Sequence, residues 1–216
     1  MPLSVREHII EVAGALFYSR GIRAVGVDEI IRQADIAKAT LYRHFRGKEE
    51  IVVACLEARR ARLEARFLDG VYRHVLGPPE RLGAAFDLLI GSLSAPDFRG
   101  CAFLMAVAEH GDSAAIRSAA RGYKEFIRNQ FFAIVRDHVH DPETLTEQLA
   151  LLYEGAIATA VIRPDASPGD HAKRCALLLF SQYAATRPEG ATVAPAEPNV
   201  AIATPVTGSR RSGRAR

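Results

Sequence analysis

At 216 residues, 49% of them apolar, the chain is long enough for one large or two small domains with a sizeable core. No apolar run reaches the eighteen or so residues a membrane span needs, and MPLSVREHII lacks an apolar signal core, so a protein neither membrane-bound nor exported is expected. The net charge of +3 is unevenly placed: residues 1–66 hold 12 Lys/Arg against 9 Asp/Glu, residues 67–186 hold 11 against 14, and residues 187–216 hold 5 against 2.

A first helix is predicted from about Val5 to Arg20, with Ile9, Val12, Ala13, Leu16 and Phe17 inward. Ser4 caps it, Glu7 completes a capping box, and Gly21 follows its end. Arg6, at its start, reads either as a phosphate contact or as an ordinary surface arginine. The second helix, Val27 to Ala34, repeats Val27, Ile30, Ile31 and Ala34 at three and four, with Asp28 and Glu29 at the positive end of its dipole. Asp35-Ile36 forms the turn, and the third helix runs from about Lys38 to Phe45 with Ala37, Leu41 and Phe45 inward. Ala37 cannot cap that helix, a loss of about 0.5–2 kcal/mol against Ser, and Asp35 is the alternative cap if the helix starts a residue early.

The fourth helix, Lys48 to about Leu68, carries Ile51, Val52, Ala54, Cys55, Ala58, Ala61, Leu63 and Phe67, and is the element that joins the N-terminal part to the rest. Beyond it, helices are expected at Arg81 to Ser94, Cys101 to His110, Ala114 to His138, Pro142 to Ile162 and Gly169 to Ala185. From Arg187 the composition turns to Ala, Pro, Thr and Gly and ends in SRRSGRAR, which predicts a disordered basic tail over 187–216. No strand is needed, so the fold class is all-α.

The outward face of the third helix carries Lys38, Thr40, Tyr42, Arg43 and His44, with no acidic residue between Ala37 and Arg46. A solvated face would mix in Glu. Donors beside an aromatic and a threonine methyl suit phosphate oxygens and major-groove base edges instead.

FxxxG at Phe17 to Gly21, DEI at Asp28 to Ile30 and ATLYRHFRGKEE from Ala39 to Glu50 resemble the N-terminal domain of the tetracycline-repressor (TetR) family. The resemblance covers about residues 5 to 50; two departures are Asp35 where the family commonly has Gly and Ala37 where it has Ser. It implies a three-helix DNA-binding domain with a helix-turn-helix over 1–50, followed by a larger helical ligand-binding and dimerisation domain over 51–186. It also implies a ligand-responsive dimeric transcriptional regulator, a repressor released from a palindromic operator by a small apolar or aromatic inducer. By that carry-over, Thr40 and Tyr42 touch phosphate or base edges, and His44 and Lys48 touch backbone. Lys38 and Arg43 are the candidates for base reading, since both can donate to guanine O6 and N7.

For the inducer, candidate residues are Phe86, Phe103, Met105, Tyr123 and Phe126, with Glu109 as a polar anchor, set against the plainer reading of an aromatic-rich helical core. Helices eight and nine are the expected homodimer surface, through Leu149, Leu152, Ala156 and Ala160 on one and Leu177, Leu178, Phe180 and Ala184 on the other, though each could be intramolecular core.

Three widely spaced cysteines form neither a disulfide framework nor a zinc pattern and fit a reducing cytoplasm; Cys101 reads as a redox or electrophile sensor or as a small buried hydrophobe. No Gly-rich phosphate loop, Walker pattern, GxSxG or HExxH occurs, so neither an enzyme, a cofactor nor a metal is expected. The alternative function is a helical ligand-binding protein derived from such a regulator that no longer binds DNA.

Overall fold

In the computed structural model, which describes residues 3–163 and 165–185, every regular element among the described residues is α-helical. The tail expected over 187–216 lies outside them. Helix α1 (Val5–Arg20) begins on the expected capping box: Glu7 donates its amide to Ser4 Oγ at 3.2 Å, and the Ser4 amide donates to Glu7 Oε2 at 2.8 Å. It ends at Gly21, whose φ of +87° is disfavoured for any residue with a Cβ. Helices α2 (Val27–Gln33) and α3 (Lys38–His44) fold against it around Ile9, Ala13, Phe17, Ile30, Leu41 and Phe45, all buried. Burying each large side chain of this set is worth about 1.5–3 kcal/mol, which lets two seven-residue helices persist that would melt alone.

Helix α4 (Lys48–Tyr72) leaves this unit and supplies a wall to the next. It runs four residues past the expected end at Leu68, because Val71 continues the buried stripe of Phe67. Gly70 lets α5 (Pro78–Leu93) come close: a Cβ there would lie 2.8 Å from Leu88 Cδ1. Helix α5 also starts earlier than Arg81, since its prolines occupy the first turn, where a missing N–H is not needed.

Short α6 (Ala102–Glu109) lies on α7 (Ala114–Val135), and α7, α8 (Pro142–Ile162) and α9 (Ser167–Ala185) complete the larger unit with α5. Its centre is a trio of rings. Phe86 stacks on Phe131 with centroids 5.8 Å apart, and Tyr153 meets both edge-on. Helix α8 is long and apolar enough, at a mean hydropathy of 1.2, to cross a membrane by length and composition. In this fold it instead turns Leu145, Leu149, Tyr153, Ala156 and Ala160 into the core. Three of the four residues expected on its partner face are therefore intramolecular, and only Leu152 is less than fully buried.

Cys55 of α4 is buried and donates its thiol to the Ile10 carbonyl at 3.4 Å, and burial pushes its pKa up to about 12. An alkylating reagent at neutral pH is therefore expected to leave Cys55 unmodified in the folded chain and to reach it only after denaturation, which mass spectrometry would show.

Candidate functional site

Asp35 sits at φ 51°, the left-handed conformation the turn demands, so the residue standing where glycine is common adopts a glycine-like backbone. Ile36 beside it is half-buried, and its amide reaches the Ile31 carbonyl at 3.3 Å. Helix α3 starts at Lys38 with Ala37 as its cap residue and no side-chain cap, so Asp35 does not supply one. Tertiary packing compensates: Leu41 is 0% and Phe45 1% exposed, one turn apart on the inward side.

On the outward side, Tyr42 is 48% exposed, Lys38 and Arg43 are exposed, and Thr40, His44 and Lys48 are half-buried. Arg43 Nη2 lies 3.4 Å from Thr40 Oγ1. Lys38 Nζ donates to Asp28 Oδ1 at 3.0 Å; that hydrogen bond, with the Asp28 charge, raises the lysine pKa. A base contact by Lys38 must break this pair. Lys48 stands at the first turn of 25-residue α4, so its charge adds to the positive end of that helix. Arg6 lies over the Phe45 ring with Cζ 5.1 Å from the centroid, which brings a further cation to the end of α3.

Polar bonds tie α1 to both ends of α6. At the entry, Tyr18 donates its hydroxyl to the Gly100 carbonyl at 3.1 Å and accepts from the Arg99 amide at 2.9 Å. At the exit, the Glu109 carboxylate accepts from the amides of Ile22 at 3.0 Å and Arg23 at 2.6 Å. Burial raises the Glu109 pKa, but the two amides and the His110 and Arg23 charges outweigh it and hold the carboxyl below its ordinary value. A carboxylate expected to anchor a ligand thus clasps the α1–α2 turn.

The sign of its pH dependence follows. A depressed pKa means the contribution is present above the ordinary value of 4.5 and is lost as pH falls through the lower folded value. Glu109→Gln is expected to melt below the wild-type chain at neutral pH, and the gap should close in acid below 4.5. A gap that persisted unchanged in acid would disprove the assignment.

Two cavities flank α6. One, of about 280 Å³, lies between α1, α4 and α6, with Phe17, Val52, Leu56, Met105 and Glu109 on its wall. The other, of about 220 Å³, is lined by Phe98, Cys101, Phe103, Tyr123, Tyr153 and Ile157 among others. Phe103 and Tyr123 stack there with centroids 4.5 Å apart. Burial holds the phenols of Tyr123 and Tyr153 well above their ordinary pKa, so both stay protonated.

The six residues expected at a ligand site therefore divide. Phe103 and Tyr123 share one cavity, and Met105 and Glu109 share the other. Phe86 is wholly buried among rings, Phe126 packs edge-on to Phe67, and both are absent from the two walls. Sequence reasoning missed Tyr18 and Arg59, which line both cavities, with Arg59 Cζ 4.3 Å from the Tyr18 ring centroid.

Comparison with known proteins bears on the family and the fold. A family model described as bacterial regulatory proteins, tetR family, matches residues 9–55. The HTH-type transcriptional repressor KstR2 of Mycobacterium tuberculosis is 39% identical over 83 residues, 38% of this chain and 41% of that repressor, so the match spans less than half its length. The transcriptional regulator AcuR of Cereibacter sphaeroides is 32% identical over 164 residues, 68% of this chain and 72% of that protein. A crystal structure of the TetR transcriptional regulator sav143 from Streptomyces avermitilis superposes with a TM-score of 0.75 at 30% identity, covering 84% of this chain and 98% of that one. With a helix-turn-helix at one end, a larger helical unit behind it and likeness along most of its length, the chain belongs to the TetR family of bacterial transcriptional regulators.

Proposed function

We propose that the chain is a ligand-responsive homodimeric repressor that enters the major groove of a palindromic operator with α3. The observation that carries this reading is the acid-free outward face of α3, held rigidly from behind by Leu41 and Phe45. Lys38 and Arg43 are the base readers; Thr40, Tyr42, His44 and Lys48 grip the backbone or neighbouring base edges. Relatives described as repressors support the sign of regulation. Such a protein works where the chromosome is, in the bacterial cytoplasm. The inducer site is drawn from the wall that Phe103 and Tyr123 share; Met105 and Glu109 line the neighbouring cavity, and Phe86 and Phe126 are left out.

One helix-turn-helix buries little area, and two on a dimer reach useful affinity. The dimer surface is the outer face of α8 and α9, where Leu151 is 71% and Leu178 66% exposed and a Cβ at Gly155 would meet nothing within 4 Å. Leu151→Arg is expected to give a monomer by light scattering. Cys175, exposed in the single chain and on the groove between α8 and α9, should alkylate readily in that monomer and slowly in the parent.

The reading as a whole is tested by a salt-controlled shift assay on the protein's own upstream region. Specific retention over random duplex is expected, with affinity falling as salt rises. A folded sample that treats the two duplexes alike removes the proposal.

A further inference from the structure

Arg59, Arg62 and Arg66 stand at i, i+3 and i+7 on α4 and so share one face of that helix. Among the described residues none of the three is ion-paired, whereas Arg60 and Arg73 on the same helix or at its end pair with Glu64 and Asp69. Two of them, Arg59 and Arg66, border the aromatic cavity of about 220 Å³, on whose wall Asp97 is the one acid. Arg66 is braced rather than neutralised: its guanidinium donates to Ser92 Oγ at 3.2 Å and to the Leu88 carbonyl at 3.3 Å, and both acceptors are uncharged. Arg59 has its cationic face spent only on the Tyr18 ring.

We propose that this cavity is a receptor site for a small organic anion, its carboxylate or phosphate held between Arg59 and Arg66 and its ring or chain seated against Phe103, Phe98 and Ile157. The inference rests on the reading of the chain as ligand-responsive and names the class of ligand. Size agrees: an apolar cavity of about 150 Å³ holds benzene, so about 220 Å³ takes one ring with its substituents. Charge agrees too, because a guanidinium fork matches a planar carboxylate or a phosphate in a way a neutral hydroxyl cannot use. On the same wall the Tyr123 hydroxyl donates to that of Tyr153, which leaves the Tyr153 proton to donate one hydrogen bond to a ring substituent. The head group would take Arg59 from Tyr18, a residue of α1, so occupancy is felt directly by the helix that supports the DNA-binding pair.

The test is thermal unfolding of the full chain without DNA, titrated with benzoate, phenyl phosphate and the neutral counterpart benzyl alcohol. At least one anion is expected to raise the melting temperature saturably, with benzyl alcohol binding about tenfold more weakly. Arg59→Gln and Arg66→Gln should each lower the affinity for that anion about tenfold and leave benzyl alcohol unchanged. A preference for benzoate identifies a carboxylate ligand and a preference for phenyl phosphate a phosphate one, and either supports the site. Equal binding of anion and alcohol, indifference to both substitutions, or no saturable shift with either anion overturns it. Because DNA takes no part, a chain that binds benzoate yet no duplex sinks the repressor reading and leaves this inference standing.

Discussion

Leu41→Ala is expected to lower the stability of the chain by about 2–5 kcal/mol and to abolish operator binding, because it empties a fully buried position behind α3. The side chain is 0% exposed and belongs to a core built by short helices, where little else can move in to fill the void. Tyr42→Ala, one residue further on, removes an exposed ring and should leave the stability within about 0.5 kcal/mol of the parent. Thermal melts of the two variants beside the parent, run with the same shift assay, separate an anchoring residue from a contacting one. An operator affinity that survived Leu41→Ala would mean that α3 is not the element held against the duplex.

Arg43→Ala is expected to cost about 1–3 kcal/mol at particular base pairs and far less on random duplex. The guanidinium is exposed, leans only on Thr40 Oγ1 at 3.4 Å, and is free to form a bidentate pair with a guanine. Lys48→Ala should behave differently, weakening all sequences alike and lowering the slope of affinity against salt by about one unit. The contrast is readable in one experiment, a competition series of single base-pair variants of the operator at two salt concentrations. Equal losses for Arg43→Ala on specific and random duplex would remove its base-reading role.

The helices and most of the inward side of α3 were legible because apolar residues at three and four dictate a buried stripe whatever lies against it; Ala37, expected inward with Leu41 and Phe45, is exposed because it stands before the helix as its cap residue. Ends were less so. Helix α4 outruns Leu68 because Val71 finds a partner surface on another helix, and α5 begins on its prolines because the first turn tolerates them. The cavity residues were only half legible. Phe86 and Phe103 are both buried aromatic residues on helices, and nothing in their spacing tells a ring packed on all sides from one that faces a void. Glu109 was a candidate ligand anchor because it is a polar residue among aromatic-rich helices. The turn at Gly21 aims two backbone amides at it, a consequence of a positive φ that composition does not reveal. Likewise the pairing of Arg59 with Tyr18 arises where α1 crosses α4, far apart in sequence. The i, i+3, i+7 spacing of three arginines was the signal available for that site.

Helix α4, 25 residues long, measures about 37 Å from end to end at 1.5 Å per residue. A tilt of about 5° at its far end would swing the tip that carries the DNA-binding pair by about 3 Å, on the order of one base-pair rise. In a dimer the two swings add, so a displacement too small to disturb packing around the rings at the centre can put the paired heads out of step with the groove. In the ligand-responsive dimer proposed above, the length of one rod, rather than any large rearrangement, would set the gain of the switch.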